Sequence, residues 1–277
     1  MESRSETVHR SGSLTMKRYL RVYIKLIYLN AAALIVYPAN FYNSLLASLG
    51  WGFFSLYSVV LLTAQTKGAF GWSREEILLL NGVYGIIIGI FHTVFSRNFG
   101  RFSKVVHQGQ LDSVLMKPID SQYLLSFWEF SWVSISRVFM ALGYVVIVSR
   151  SLAIQTKPVD VFLLLVVGLC GILLLYSMWY MVITLTIWFT RLSNLVELMF
   201  NITGIARYPR SMFAQSAGFA FWFLFPLLLI INIPTKVYLR RIDLGEILLL
   251  ISIAILFFLG SRVFWKFALR HYTSASS

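Results

Sequence analysis

Six stretches of the chain contain no Asp, Glu, Lys or Arg: residues 26–66, 77–96, 138–149, 161–190, 211–235 and 247–261. A helix needs roughly 20 mostly apolar residues to cross the hydrocarbon of a bilayer. The 138–149 stretch reaches that length by taking in Arg137 and extending back toward Phe130, and the 247–261 stretch by taking in Glu246 and Arg262. Hydrocarbon offers the backbone no hydrogen-bonding partner, so only helices and closed barrels cross it. Runs such as Ile77 to Ile90 lack the in–out alternation of a barrel strand. The expectation is an all-α integral membrane protein with six transmembrane helices, at about 42–64, 77–96, 127–149, 160–187, 214–233 and 244–265. With 58% hydrophobic and 13% charged residues, the chain cannot solvate the surface of a soluble domain.

The net charge of +13 raises the question of nucleic acid, but basic residues in a membrane protein report orientation through their asymmetry. With both termini on the inner side, inner segments hold sixteen Lys and Arg. The outer loops hold seven: Lys67, Arg74, Arg150, Lys157, Lys236, Arg240 and Arg241. This bias favours cytoplasmic N- and C-termini in a multi-pass membrane protein, with no nucleic-acid role. Cys170 is the only cysteine, so an intrachain disulfide and a cysteine-based metal site are both excluded.

Residues 1–15 are polar and Ser-rich and read as a disordered tail. From Met16, Lys17, Arg18, Arg21 and Lys25 fall on one side of a helix and Leu20, Tyr23, Ile24 and Ile27 on the other. This pattern predicts an amphipathic interfacial helix over 16–37, basic face toward the headgroups of membrane lipids. A signal peptide is the alternative, weakened by charges that continue in helical register into the apolar run. Pro38 predicts a break before the first span, in which Gly50 and Gly52 allow close helix approach. Ser73 before Glu75 and Glu76 reads as a capping box for the second span. A six-helix transmembrane unit covers 16–265, its inner loop at 97–122 is too long to lack structure, and 266–277 forms a C-terminal tail. Residues 192–206 read as a cytoplasmic or partly embedded helix, or as a seventh crossing.

Chemistry is scarce. Only Glu129 and Glu197 among the eleven acidic residues can be embedded, too few for a proton- or sodium-driven carrier or an intramembrane hydrolase. His92 stands alone and reads as a packed residue, and no P-loop occurs. No catalytic residue, cofactor site or metal site is expected on this chain, so work would draw its energy from another subunit. A secondary carrier or channel, or a membrane-embedded enzyme, is the rival reading. Arg137 is the outstanding intramembrane charge, at roughly 2.5–3.5 kcal/mol on insertion scales. It lines a polar path, or it snorkels or pairs with Glu129. Between the second and third spans, Gly109 permits a tight turn, Asp112 favours a helix start, Val114 and Leu115 give a small apolar face, and Pro118 stops the helix.

That ten-residue unit resembles one in the membrane subunits of ABC transporters of the type-2 (exporter-like) permease class. One branch carries Gly-x-Leu-Asp-x-x-Leu-x-Lys-Pro in the loop after the second span. Gly109, Leu111, Asp112, Leu115, Lys117 and Pro118 match it throughout. The likeness continues through Tyr208-Pro209 and Ile233-Pro234. It implies a six-span permease of a prokaryotic plasma membrane that pairs with an identical or sister permease subunit and is driven by two cytoplasmic ABC ATPase subunits. Those partners would bind ATP and Mg and engage a coupling helix at 109–118. One departure is visible: the link between the fifth and sixth spans is too short for re-entrant extracellular helices.

Overall fold

A computed structural model describes residues 2–65, 68–154, 157–189, 195–213, 219–241 and 243–272. Among them six helices are long and apolar enough to cross a membrane. These are Lys17–Val36 within α1 (Glu2–Val36), α2 (Pro38–Leu62), the continuous stretch Arg74–His107, α7 (Trp132–Ser151), the stretch Pro158–Ile187 that begins with α8 (Pro158–Thr184), and α12 (Leu244–Arg270). The expected fifth span is α11 (Phe219–Tyr238), whose segment Leu224–Tyr238 is a shorter apolar helix with Pro226 and Pro234 inside it. The all-helical class is therefore observed. The one exception is a two-residue hairpin, β1 (Gly68–Ala69) against β2 (Trp72–Ser73), turning α2 into α3 (Arg74–Phe91).

The N-terminal segment departs from expectation. Helix α1 begins at Glu2, so backbone expected to be disordered over 1–15 is helical from residue 2 onward. Extending a helix that already exists gains one hydrogen bond per residue without a new nucleation cost. Tyr19 of α1 accepts from the Asp120 N–H and Asn30 donates to the Trp128 carbonyl, so α1 follows the chain segment 120–132. Pro38 opens α2 at its first turn, where a missing N–H costs nothing.

The second span also runs further than expected. It does not end near Ser96: α3 passes through a π-turn, His92–Ser96, into α4 (Arg97–His107). Thirty-four continuous residues span about 50 Å at 1.5 Å per residue, well beyond a hydrocarbon core of roughly 30 Å. The surplus carries α5 (Gln110–Leu115) at its tip, and α6 (Ser121–Phe127) returns the chain to α7. Thus most of the 97–122 loop is helix. The wide π-turn leaves the Thr93 carbonyl to accept from the Ser131 N–H at 2.8 Å, fastening the start of α7.

Small residues set the close packing. Gly82, Gly85 and Gly89 present backbone to α7, where an added Cβ would fall within 2.5–2.9 Å of Val145, Ala141 and Val138. Gly52 of α2 meets Met140 of α7, whereas Gly50 faces open space. On the other side of α3, Phe91, Phe95 and Phe99 interleave with Tyr176, Trp179 and Tyr180 of α8.

At the hairpin end, the turn from α11 to α12 is clamped by ion pairs. Lys236 pairs with Glu246 at 2.7 Å, Arg240 with Asp160, and Arg241 with Glu76 at 2.6 Å. Helix α9 (Leu195–Thr203), a 3-10 turn (Gly204–Arg207) and α10 (Arg210–Phe213) follow α8. They climb through the bundle: Thr203 accepts from the Trp179 indole, Arg207 lies over the Tyr84 ring, and Ser211 donates to the Phe70 carbonyl in the hairpin. Arg207 and Arg210 therefore leave the inner-surface charge count, because Tyr84 sits roughly 15 Å along α3 from its start. Arg191 and Lys67 lie outside the described residues. The C-terminal tail expected from 266 begins later, since α12 continues to Arg270.

Gly85→Leu should lower the thermal midpoint of the purified chain, with an overpacking cost of about 1–3 kcal/mol. Gly143→Leu, at a position with no neighbour within 4 Å, should leave it unchanged. Equal midpoints for the two variants, read by size-exclusion after heating, would remove the α3–α7 contact from the packing account.

Candidate functional site

Gly109 adopts φ +69, a left-handed conformation that glycine reaches without a Cβ clash, and so reverses the chain between α4 and α5. The six residues of α5 then present two faces. Leu111 and Val114 are buried, 0% and 5% exposed, in the apolar core with Val105, Val106 and Leu125. Leu115 and Met116 are 39% and 80% exposed. The expected docking set thus divides: Leu111 and Val114 hold the tip on its stalk, and Leu115 with Met116 forms the outward face. Asp112 lies in the first turn of α5, Lys117 and Pro118 are exposed beyond its end, and the Lys117 ammonium sits 4.2 Å from the Trp128 ring centroid. Arg101 sits over the same ring at 5.1 Å. The motif lysine therefore packs on the residue that closes α6.

A polar joint lies where α6 begins. Asp120 caps α6 by accepting from the Tyr123 N–H at 2.9 Å, and both its oxygens accept from Arg262 of α12, at 2.8 and 2.7 Å. Arg262 also donates to Gln122, which donates to Tyr176 of α8, and Trp265 donates to Ser121. Burial on its own would raise the Asp120 carboxyl, but the Arg262 and Tyr123 hydrogen bonds outweigh it and hold the group below its ordinary range. With Tyr19 on the Asp120 N–H, the joint ties α1, α6, α8 and α12 to the base of the tip. An Asp followed by Ser is a legible helix cap in sequence, but its partner 142 positions away is not.

Arg137 lies apart from this joint. It does not pair with Glu129, which accepts from Arg101 at 3.3 Å and is fixed through its backbone by both polar atoms of the Asn98 amide. Glu129 is accordingly a strap between α4 and α6. Glu197 lies on the exposed face of α9. Arg137 donates from Nε to Ser48 Oγ of α2 at 2.8 Å. Its guanidinium borders a cavity of about 360 Å³ lined by Ser44, Ser48, Trp51, His92, Ser96, Arg97, Ser131 and Ser134. A narrower cavity of about 80 Å³ shares Trp51, His92 and Arg137 and reaches Tyr84 and Arg207. His92 stacks on Phe200 of α9 at 5.0 Å, so it is packed as expected yet also lines this space. Nothing local in the sequence marks Arg207 as a neighbour of α3.

Among the described residues no group of three or more His, Cys, Asp or Glu is placed to hold a metal ion. The arrangement offers an outward apolar tip and a basic, hydroxyl-rich space between helices. Residues 49–276 match a family model described as ABC-2 family transporter protein. Neither a curated protein nor a solved structure gives a match.

Asp120→Asn should lower the thermal midpoint by about 2–4 °C, the shift for about 1 kcal/mol from a partly exposed bidentate pair. Because the folded carboxyl is held low, this contribution is complete above the unfolded value of about 4 and disappears as pH falls through the folded one. The midpoints of wild type and variant should converge in acid; a gap that persists there would exclude the ionised pair as its cause.

Proposed function

The chain belongs to the ABC-2 transporter family, and on that premise we propose that it is the permease subunit whose α5 couples it to a separate ATPase. The membrane component of a transporter is the role its family carries, with six helices apolar enough to cross. The finer reading concerns partners. Helix α5 stands at the end of a helix too long for the bilayer, its buried face fastened to the stalk and Leu115 and Met116 turned outward. That single observation carries the proposal: a force applied to the outward face passes through Leu111 and Val114 into α4, and through Asp120–Arg262 into α12.

Cytoplasmic ABC ATPase subunits, holding ATP and Mg, are the partners that fit this knob. A second permease subunit, identical or paralogous, completes the assembly by analogy with the class. Among the described residues, thirteen basic residues remain on the α5 side after Arg207 and Arg210 are removed, against six at the hairpin end. The bias supports cytoplasmic termini in a prokaryotic plasma membrane. Export rests on the branch resemblance of Gly109 to Pro118.

Joint Leu115→Asp and Met116→Asp should reduce co-purification of a candidate ABC ATPase by about tenfold or more, as expected for two central apolar contacts, while the chain elutes normally. Leu111→Asp should instead damage assembly of the chain itself, since it buries a charge. Intact ATPase binding and transport in the double variant would overturn the assignment of α5. Solute movement by the chain alone in liposomes would overturn the dependence on an ATPase.

A further inference from the structure

The two cavities that meet at Arg137 carry positive charge, and among the described residues no acid lines them to balance it. Arg97, Arg137 and Arg207 border the space, with His92 between them, and no Asp or Glu lines either part. Five of the chain's acids are engaged elsewhere, and Glu197, on the exposed face of α9, lines neither cavity. Glu129 holds Arg101, Asp120 holds Arg262, and Glu76, Asp160 and Glu246 hold the three cations of the α11–α12 turn. Arg137 has a serine hydroxyl and Arg207 a glycine carbonyl and a tyrosine ring and hydroxyl, all neutral groups. An intramembrane guanidinium is expensive unless water or an anion meets it. Two of them on one space, with hydroxyl donors from Ser44, Ser96 and Ser134 beside them, form a site for negative charge.

The mouth of the space adds a second requirement. Trp51 lines both cavities yet is 68% exposed, and its neighbour on α2, Phe54, is 64% exposed. An anion bound at the arginines would have an apolar wall leading outward from it. The larger cavity, about 360 Å³, falls within the range of small-molecule sites.

We propose that the space bounded by Arg97, Arg137 and Arg207 binds the phosphate, sulfate or carboxylate group of an anionic solute, with Trp51 and Phe54 receiving any apolar tail. This rests on the permease reading only in making that solute the cargo; binding itself requires no ATPase. The site gives a role to Arg137 at a position where an apolar residue would insert at lower cost.

The test is equilibrium binding of ³²P-labelled dodecyl phosphate to the full chain in phosphatidylcholine nanodiscs, with empty nanodiscs subtracted. Saturable binding is expected, displaced by dodecyl sulfate and not by dodecyltrimethylammonium. Arg137→Gln and Arg207→Gln should each weaken it about tenfold or more, the loss expected for a charge-assisted contact, and Arg137→Lys should restore part. Arg97 is exposed and outside the packed core, so Arg97→Gln tests the charge without risk to folding and should weaken binding severalfold. Displacement by inorganic phosphate as potently as by dodecyl phosphate would support the anion site and assign it to a free anion. Displacement only by the alkyl anions would support an amphiphile. Equal displacement by the cationic amphiphile, or unchanged affinity in Arg97→Gln and Arg207→Gln, would overturn the proposal. A chain that binds the probe but never engages an ATPase would sink the coupling reading and leave this one standing.

Discussion

The bidentate contact of Arg262 with Asp120 joins the last membrane helix to the residue that opens α6 just beyond the tip. Together with the Trp265–Ser121 and Gln122–Tyr176 hydrogen bonds, it fixes the segment that follows α5 against α12 and α8. The same carboxylate caps α6, and the Asp120 backbone N–H engages Tyr19, so one residue ties α1, the base of the tip and the last membrane helix together. A charged pair suits this task because its two parallel hydrogen bonds fix angle as well as distance.

Around this joint the molecule separates stiffness from polarity. Aromatic residues interleave α3 and α4 with α8 and make a dense block on which the tip is mounted. On the opposite side, glycines bring α3 against α7, and α2 meets α7 through Gly52. The polar space opens along that second seam, beside the π-turn that redirects α3 into α4. A wide turn costs regular hydrogen bonding, and the Ser131 N–H on the Thr93 carbonyl offsets part of that cost. The seam that could open and the stalk that could move it are thus consecutive parts of one helix.

Charge placement follows the same division. Ion pairs at the hairpin end close the turn between α11 and α12 and use acids from three different helices. Those at the α5 end set the stalk and tip. The arginines between the two ends are left to neutral partners, which makes the middle of the bundle its electrostatically unfinished region.

Hydrophobic runs by themselves determined that this chain is helical and membrane-spanning, since backbone polar groups in hydrocarbon must be satisfied within the segment. The Gly109 turn and the Pro118 stop were legible for the same kind of local reason, being conformational limits of single residues. The Ser73 cap was legible too, and both its bonds with Glu76 are formed. Partner identity was not. Whether Glu129 answers Arg137 or Arg101, whether Leu111 faces out or in, and whether Arg207 meets the surface or Tyr84 depend on how helices rotate and on where α9 re-enters the bundle. Those choices are made by contacts between residues tens to more than a hundred positions apart, packed by small side chains and aromatic interlocking. A linear pattern records which face is apolar, but only the assembled helices decide which charge finds which neighbour.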